Sequence, residues 1–222
     1  MRRSKEFSDT FDDADAALSP FDVSRETRAR LQIVVDELAC WQKAKNLVGP
    51  STLAQVWSRH IADSLQLRAL APQARRWLDL GAGAGFPGLV IAIAMMQDAP
   101  GEPPPIVHCI EANARKCAFI RHAARLTGAA VEVRNERIEA VIDGFAGRID
   151  VVTARALAPL AQLLDWTFPL LTSGAIGLFP KGDQVGAELT EARKSSTFEV
   201  EEFPSATDPR GRILRIATLA RN

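Results

Sequence analysis

The feature that most constrains the fold of this chain is a glycine-rich turn between two apolar segments. The run Trp77-Leu-Asp-Leu-Gly-Ala-Gly-Ala-Gly-Phe-Pro-Gly88 passes from a short apolar stretch into four glycines within eight residues. Because glycine has no Cβ, such a backbone turns tightly and approaches a ligand closely. A second apolar stretch ends in Glu111, whose carboxylate is suited to bind a ribose diol. The two features together predict a site for a nucleotide-like cofactor.

Length and apolar content predict one globular domain. The chain has 222 residues, of which 47% are hydrophobic, enough for a full core. Residues 1–22 are polar and lack a helical or strand period, which predicts a mobile tail before a single domain over 23–222. Within that domain we expect a helical cap over 23–72 and an α/β core over 73–222.

Neither a membrane span nor a secretory signal is visible, so we expect a cytoplasmic protein without membrane contacts. Cys40, Cys109 and Cys117 lack the CxxC spacing of zinc sites and are expected to be buried free thiols; no metal is predicted. The formal net charge of +0 gives no general argument for nucleic acid, so RNA would have to bind local basic patches. A monomer is favoured.

Apolar residues recur at three- and four-residue steps before the glycine turn and predict two helices. The first carries one apolar stripe, formed by Leu31, Val34, Val35, Leu38 and Trp41. The second is expected to begin at a Ser51 cap. Its buried side comprises Leu53, Val56, Trp57, Ile61 and Leu65.

Five short apolar strands alternate with helical stretches, and two more strands follow with no helix between them. Strands are predicted at 76–80, 106–111, 131–134, 149–154, 175–179, 198–203 and 213–219, and helices at 88–96, 114–127, 136–143 and 159–171. The proline-rich segment 97–105 is expected to be a surface loop. Alternation of this kind is typical of a parallel sheet covered on both faces. The chain is therefore predicted to be α/β and Rossmann-like, with a mostly parallel seven-stranded sheet and an antiparallel C-terminal hairpin, the class I methyltransferase arrangement.

Two cofactors are compatible with the glycine turn. The spacing from Gly83 to Gly88 matches the GxGxxG fingerprint of NAD enzymes, although Glu111 lies further along the chain than the usual carboxylate. S-adenosylmethionine is favoured by the acid before the turn, since Asp79 can face the cationic methionine end of that cofactor. Pro87 also removes a backbone N–H that would help to bind a pyrophosphate, which S-adenosylmethionine lacks.

The segment after the fourth strand narrows the range of substrates. It lacks the Asn/Asp-Pro-Pro-aromatic run of enzymes that methylate exocyclic amines, and it lacks a cysteine for attack on a pyrimidine carbon. It offers Arg155, a cation at the carboxyl end of a strand, where ligands bind in open α/β sheets. The alternative is a surface arginine paired with a neighbouring acid.

Short motifs follow one another in order from about Trp41 to Arg215. They are Asn46-Leu47, Arg59-His-Ile-Ala-Asp63-Ser64-Leu65, the turn from Asp79 to Gly88, the segment from Glu111 to Lys116, Phe119-Ile-Arg121, Arg137-Ile-Glu139, Thr153-Ala-Arg155-Ala and Lys181-Gly182. Each is weak alone, but the ordered set resembles the RsmG (GidB) family of small-subunit ribosomal RNA methyltransferases. The resemblance implies an enzyme that uses S-adenosylmethionine to methylate guanine N7 in a loop of 16S ribosomal RNA.

The predicted cofactor site combines the acids and glycines above with positions that the resemblance adds. It comprises Asp79, Gly81, Gly83, Gly85, Phe86, Glu111, Ile138, Glu139 and Arg155. No catalytic dyad is visible. Guanine N7 carries a lone pair and has no proton to lose, so alignment is enough and no general base is required. Arg155 is the candidate for positioning substrate or cofactor.

Contacts with 16S ribosomal RNA or the small ribosomal subunit would need cations and polar groups near this site. The candidates are Lys43, Lys45, Asn46, Arg59, His60, Lys181, Arg210 and Arg212. His60 lies within one helical turn of Asp63 and Ser64, so a local hydrogen-bonded cluster is an equal alternative to substrate contact. For the whole chain, two alternatives remain: a methyltransferase acting on a small molecule or protein, and an NAD-binding oxidoreductase.

Overall fold

The computed structural model of the chain describes residues 11–98 and 105–222. The strands are β1 (Arg76–Leu80), β2 (Ile106–Ile110), β3 (Val131–Arg134), β4 (Val151–Ala154), β5 (Ile176–Lys181), β6 (Ser196–Pro204) and β7 (Arg212–Arg221). The α-helices are α1 (Ala14–Leu18), α2 (Arg25–Lys45), α3 (Pro50–Leu53), α4 (Asp63–Leu70), α5 (Gly88–Met95), α6 (Ala114–Thr127), α7 (Ile138–Val141), α8 (Leu160–Leu171) and α9 (Val185–Ala192). A π-helix (Trp57–Ala62) precedes α4, and a 3₁₀ turn (Ile142–Phe145) follows α7.

All these strands form one sheet in the order β3-β2-β1-β4-β5-β7-β6. β1 pairs in parallel with β2 and β4, and β3 and β5 extend the parallel part on either side. β7 runs antiparallel to both β5 and β6. The predicted class I methyltransferase arrangement is therefore confirmed. Because five parallel strands end at the same edge of the sheet, that edge is where a ligand is expected.

Successive residues of β1 point to opposite faces of the sheet, as the pleat requires. Leu78 and Leu80 pack with residues of α8 on one face, including Leu160. Trp77 packs on the other face with Ile91 of α5. Alternation thus places Asp79 on the face that α5 covers.

The predicted elements of the α/β core are confirmed in type and order, and most differences lie at their ends. β4 begins at Val151 rather than 149, because the Asp150 carboxylate accepts the Arg75 and Arg76 amides and pairs with the Arg76 guanidinium at 2.5 Å. The helix predicted at 136–143 is a short α7 continued by the 3₁₀ turn. α9, whose buried Leu189 and Ala192 pack near α8, was not predicted.

The predicted second helix of the cap is divided into three pieces: α3, the π-helix and α4. Its first piece is capped by Gly49 with Pro50 at the first helical position, so the prediction of a Ser51 cap is wrong. The π-helix carries Arg59 and His60. Such segments are rare and occur frequently at functional sites.

The predicted mobile tail over 1–22 is wrong for residues 11–22, and residues 1–10 lie outside the described residues. Asp13 caps α1 by accepting the Asp15 and Ala16 amides. Leu18 is buried, and Phe21 packs against the same apolar cluster, which contains Trp57. Apolar contacts therefore hold residues 11–22 in place, although the polar composition of residues 1–22 gave no indication of them.

Asp12 connects the N-terminal segment to the π-helix. Its Oδ1 accepts the Trp57 amide at 2.9 Å, and its Oδ2 accepts the Ser58 amide at 2.7 Å. We expect Asp12→Ala to lower the free energy of unfolding by about 1–3 kcal/mol, because two part-buried amides lose a charged acceptor. Urea unfolding measures the loss. Asp22→Ala, which removes an exposed carboxylate, is the control, and equal values for the two variants would contradict the expected role.

Two further sequence expectations differ from the structure or lie outside it. Cys109 and Cys117 are buried free thiols as predicted, whereas Cys40 is exposed because it falls on the outward face of α2. Most of the loop predicted at 97–105 lies outside the described residues. No helix in the described ranges is long and apolar enough to cross a bilayer.

Candidate functional site

A cleft of about 900 Å³ opens at the carboxyl edge of the parallel strands. Its walls come from the helical cap, the glycine loop (residues 81–88), the segment after β4 and the start of β7. The glycine loop follows β1, the central strand of the parallel part, so the sheet topology places it at the middle of this edge. The structure thus provides a single cavity where cofactor and substrate can meet.

The glycine loop leaves open space beside its backbone. Gly83 has a φ of +58°, and a Cβ built on it would have its nearest neighbour, the Gly81 carbonyl oxygen, at 3.9 Å. The Gly83 amide donates to Oε2 of Glu111 at 2.8 Å, while Oε1 of Glu111 accepts the Asn113 amide at 2.7 Å. The loop and the acid after β2 are therefore brought together as the sequence predicted. Their contact with a cofactor stays a prediction.

Asp79 does not line the cleft, so the expectation that it faces the cofactor is not supported. Its side chain is directed toward α5 and is 1% exposed. Oδ2 accepts the Gly88 amide at 2.8 Å, whereas Oδ1 is buried and has no partner among the described residues. Burial raises the pKa of Asp79 from 3.8 to about 7. The Asp79 carboxyl group on β1 therefore fixes the end of the glycine loop, where α5 begins, through the Gly88 amide.

The raised pKa of Asp79 predicts a characteristic pH dependence of stability. The unfolded chain releases this proton near pH 3.8 and the folded chain near pH 7, so the wild type loses stability across that window as the pH rises. Asp79→Asn has no such proton. We expect its free energy of unfolding to rise relative to that of the wild type by about 1.4 kcal/mol per pH unit within this window. Above the window, the difference between the two proteins stays constant. Urea unfolding without cofactor measures this, and a pH-independent difference would contradict the assignment.

Ile138 and Glu139 begin α7, which follows β3. Ile138 is 9% exposed and packs into the core, while Glu139 is exposed. Neither residue lines the cleft; with Glu111 they lie after β3 and β2, on one side of the glycine loop. The cation-rich part of the cleft lies on the other side, toward β4, β5 and β7. The predicted cofactor contacts at 138 and 139 stay predictions.

Arg155 lies at the cleft wall after β4 and is held by the π-helix. Its Nη1 donates to the Arg59 carbonyl oxygen at 2.7 Å and to Oδ2 of Asp63 at 3.1 Å. Its Nη2 lies 2.8 Å from Nδ1 of His60. Arg155 therefore lines the cleft and also pairs with an acid, but it is mostly buried rather than a surface arginine. Its role in positioning substrate or cofactor stays a prediction.

His60 is a neutral side chain that joins the cap to the glycine loop. Burial first, and then the Arg155 and Arg59 charges, lower its pKa to about 3. Its Nδ1 accepts from Arg155, so its Nε2 carries the proton and donates to Oγ1 of Thr52 at 3.0 Å. The ring stacks on Phe86 with centroids 4.8 Å apart. The cluster that sequence left as one of two alternatives for His60 is thus present.

Asp63 joins the cap to the hairpin loop (residues 205–211) between β6 and β7. Its Oδ1 accepts from Oγ1 of Thr207 at 2.8 Å and from Nε2 of Gln66 at 2.7 Å. The Gln66 side chain in turn accepts the Ala206 amide at 2.9 Å. Sequence reasoning missed Thr52, Gln66 and Thr207. For Gln66 and Thr207 the contacts with Ala206 and Asp63 join positions more than a hundred residues apart, which nothing local in the chain links.

The predicted RNA contacts are only partly brought together. Arg59, His60, Lys181 and Arg212 line the cleft. Lys181 is 7% exposed and is paired with Glu188 at 2.7 Å. Those outside the cleft lining are Lys43, Asn46 and Arg210, and the side chain of Lys45 lies outside the part of the chain that the structure describes. Lys116, which lines the cleft from the first turn of α6, was missing from the predicted set.

Comparison with solved structures shows a shared fold. The O-methyltransferase TomG from Streptomyces achromogenes, solved with S-adenosylmethionine, superposes with a TM-score of 0.57 at 14% identity, covering 98% of this chain and 99% of that one. A putative O-methyltransferase from Klebsiella pneumoniae gives a TM-score of 0.58 at 12% identity, covering 97% of this chain and 99% of that one. In the described ranges no three His, Cys, Asp or Glu side chains are grouped to hold a metal ion.

Comparison with curated sequences is more specific. Ribosomal RNA small subunit methyltransferase G from Methylorubrum populi is 57% identical over 92% of this chain and 94% of its own length. The protein of that name from Rhodopseudomonas palustris strain BisB18 is 49% identical over 93% of this chain and 87% of its own length. The model of the family GidB, described as rRNA small subunit methyltransferase G, matches residues 27–213. This match, which agrees with the class I sheet, the glycine loop and the ordered motifs, shows that the chain belongs to the GidB family of rRNA small subunit methyltransferases.

Proposed function

We propose that this chain transfers a methyl group from S-adenosylmethionine to N7 of a guanine in a loop of 16S ribosomal RNA. Membership of the GidB family makes the chain an S-adenosylmethionine-dependent methyltransferase of small-subunit ribosomal RNA. The guanine and its N7 position are our proposal. Because the chain belongs to this family, the NAD-binding alternative is set aside.

The glycine loop fits an adenosine cofactor on two observations. A Cβ on Gly83 would point into open space, so the backbone there is accessible to a ligand. Glu111 is fixed beside it, and each of its oxygens retains a lone pair after accepting one backbone amide. Gly81, Gly83 and Phe86 border the cleft and would hold the adenosine and methionine parts together with Glu111.

The observation that carries the N7 proposal is that none of the described side chains lining the cleft is a free general base. Among the described residues that line the cleft, His60 is neutral with both ring nitrogens engaged, and Asp63 accepts three hydrogen bonds. Asp208 accepts from Arg59, and Glu188 pairs with Lys181. Methylation of a hydroxyl or an exocyclic amine releases a proton that a base must accept. Guanine N7 has no proton to lose, so this cleft is suited to it.

The contribution of the chain to the reaction is alignment and charge. S-adenosylmethionine supplies a methyl group on a positively charged sulfur. Contacts of Arg155, His60 and Asp63 join the cap, the glycine loop and the hairpin loop, so the walls of the cleft are already connected without substrate. Fixed alignment of two reactants is worth about 7–11 kcal/mol of an activation barrier. No covalent intermediate is required.

Nucleoside mass spectrometry tests the proposal. We expect 7-methylguanosine to disappear from one 16S fragment in a strain lacking the gene and to return when the wild-type gene is supplied. Unchanged 7-methylguanosine in every 16S fragment would reject the N7 assignment. Purified enzyme that methylates a protein or small molecule equally well without RNA would favour the alternative substrate class.

The location and assembly of the enzyme are part of the same proposal. Its substrate is made and assembled in the bacterial cytoplasm, so we place the chain there. We propose that it acts as a monomer. Light scattering during size-exclusion chromatography tests this assignment.

A further inference from the structure

Among the charged side chains that line the cleft, cations outnumber carboxylates. Five are cations, namely Arg59, Lys116, Arg155, Lys181 and Arg212. Three are carboxylates, namely Asp63, Glu188 and Asp208. His60 is neutral because its pKa is lowered to about 3. The cleft is therefore positive, although the whole chain has a formal net charge of +0. A positive cleft in a neutral protein favours an anionic ligand.

Each carboxylate of the cleft is already paired with a cation. Asp63 pairs with Arg155 at 3.1 Å, Glu188 with Lys181 at 2.7 Å and Asp208 with Arg59 at 3.2 Å. These cations serve the structure of the cleft, since their charge is compensated. The excess positive charge therefore belongs to the two remaining cations.

The two remaining cations are Lys116 and Arg212. Lys116 is half-buried on the first turn of α6 and has no ion pair among the described residues. Nη1 of Arg212 donates to the Pro209 and Gly211 carbonyl oxygens, which are uncharged acceptors that leave the positive charge of the guanidinium uncompensated.

Lys116 and Arg212 lie on opposite sides of the glycine loop. Lys116 follows β2, and Arg212 begins β7, four strand positions away in the sheet. At about 4.8 Å between neighbouring strands, β2 and β7 are about 19 Å apart in the sheet. This separation of the two strands exceeds the length of one nucleotide, which favours a separate phosphate for each cation.

We propose that Lys116 and Arg212 form a phosphate clamp, each binding one backbone phosphate of the RNA strand on either side of the guanine in the cleft. This inference rests on the proposed function and names the residues that hold its substrate. It also excludes Lys181 and Arg155 as principal phosphate contacts, because Glu188 and Asp63 neutralise them. The long flexible stem of Lys116 and the planar fork of Arg212 suit phosphate in different ways.

The clamp is tested by the salt dependence of binding to a 16S ribosomal RNA transcript. Each phosphate contact contributes about 0.7–0.9 to the slope of log affinity against log salt. We expect Lys116→Met and Arg212→Gln each to lower the slope by that amount and to weaken binding about five- to eightfold at about 0.1 M salt. Affinity for S-adenosylmethionine, measured by calorimetry, stays at the wild-type value, which also shows that each variant is folded.

Two matched controls make the result specific. Arg115→Met removes the neighbouring charge on α6, which lies outside the cleft lining. Arg25→Gln removes an exposed charge at the first residue of α2, remote from the cleft. We expect both controls to keep the wild-type slope. A slope lowered equally in the controls, or left unchanged in both clamp variants, would overturn the clamp.

The remaining outcomes separate the clamp from the proposed function. Loss of S-adenosylmethionine affinity in Lys116→Met would overturn the clamp by assigning Lys116 to the cofactor. Wild-type enzyme that leaves guanine N7 of 16S ribosomal RNA unmethylated would reject the proposed function, whatever the slopes are. Methylation by the wild type together with unchanged slopes in both variants would reject only the clamp.

Discussion

Replacing Gly83 with valine is expected to reduce affinity for S-adenosylmethionine by about 100-fold, or about 2.7 kcal/mol. The φ of +58° at this position is costly for any residue with a Cβ, by about 1–2 kcal/mol. The larger effect arises because the new side chain would occupy the open space beside the loop. Calorimetric titration measures the affinity, and thermal unfolding measures the strain.

Gly147 offers a matched control for this substitution. It has a φ of +68° and open space beside it, but it precedes β4 at the end of the sheet opposite the cleft. Gly147→Val should therefore carry a similar strain with unchanged cofactor affinity. Wild-type affinity in Gly83→Val would mean that the glycine loop is not where the cofactor binds.

Replacing Arg155 with alanine is expected to lower the turnover of 16S methylation by about 100-fold, the size of effect that a misalignment of about 1 Å produces. It should also lower the free energy of unfolding by about 3 kcal/mol, since Asp63 keeps its charge and loses its partner. The three acceptors bound by Arg155 make some loss of stability unavoidable.

A comparison of two variants distinguishes a functional role for Arg155 from a structural one, and a titration checks its contact with His60. Arg76→Ala removes a similar ion pair, with Asp150, at the other end of β1, and should lower stability with unchanged turnover. The Arg155 charge contributes to the low pKa of His60, so Arg155→Ala should raise that pKa in an NMR titration. Equal turnover in the two variants would contradict the functional role, and an unmoved His60 titration would contradict the electrostatic contact between Arg155 and His60.

Much of the fold follows from local patterns that a single sequence displays. β1, β3 and α6 have the predicted bounds, because each is a short apolar run or an amphipathic stripe ended by polar residues. The antiparallel pairing of β6 with β7 follows from the turn-rich segment that joins them, with no helix between. The packing of residues 11–22 could not be predicted, because Asp12 finds its partners at Trp57 and Ser58, far away in the chain.

The candidate site likewise has features that the sequence predicts and features that it does not. The glycine loop and Glu111 were predictable, since the motif and the order of strands place both at one edge of the sheet. The burial of Asp79 was not, although the alternation along β1 points it toward α5. The bonds of Asp63 to Arg155 and Thr207 depend on the tertiary fold alone. No spacing in the sequence encodes them.

The π-helix affects how the preceding residues of the cap are oriented relative to α4. Each of its hydrogen-bonded turns contains one residue more than an α-turn, so a π segment corresponds to a single-residue insertion in an ordinary helix. Deleting one residue before Arg59 would restore the regular repeat and rotate the preceding turn by about 100° relative to α4. Leu65 and Leu67 would remain in the core, while the N-terminal segment held by Asp12 would lose its docking position. The extra residue of the π-helix therefore sets the angle between the turn that precedes Arg59 and α4, and its removal would displace the N-terminal segment from the cap.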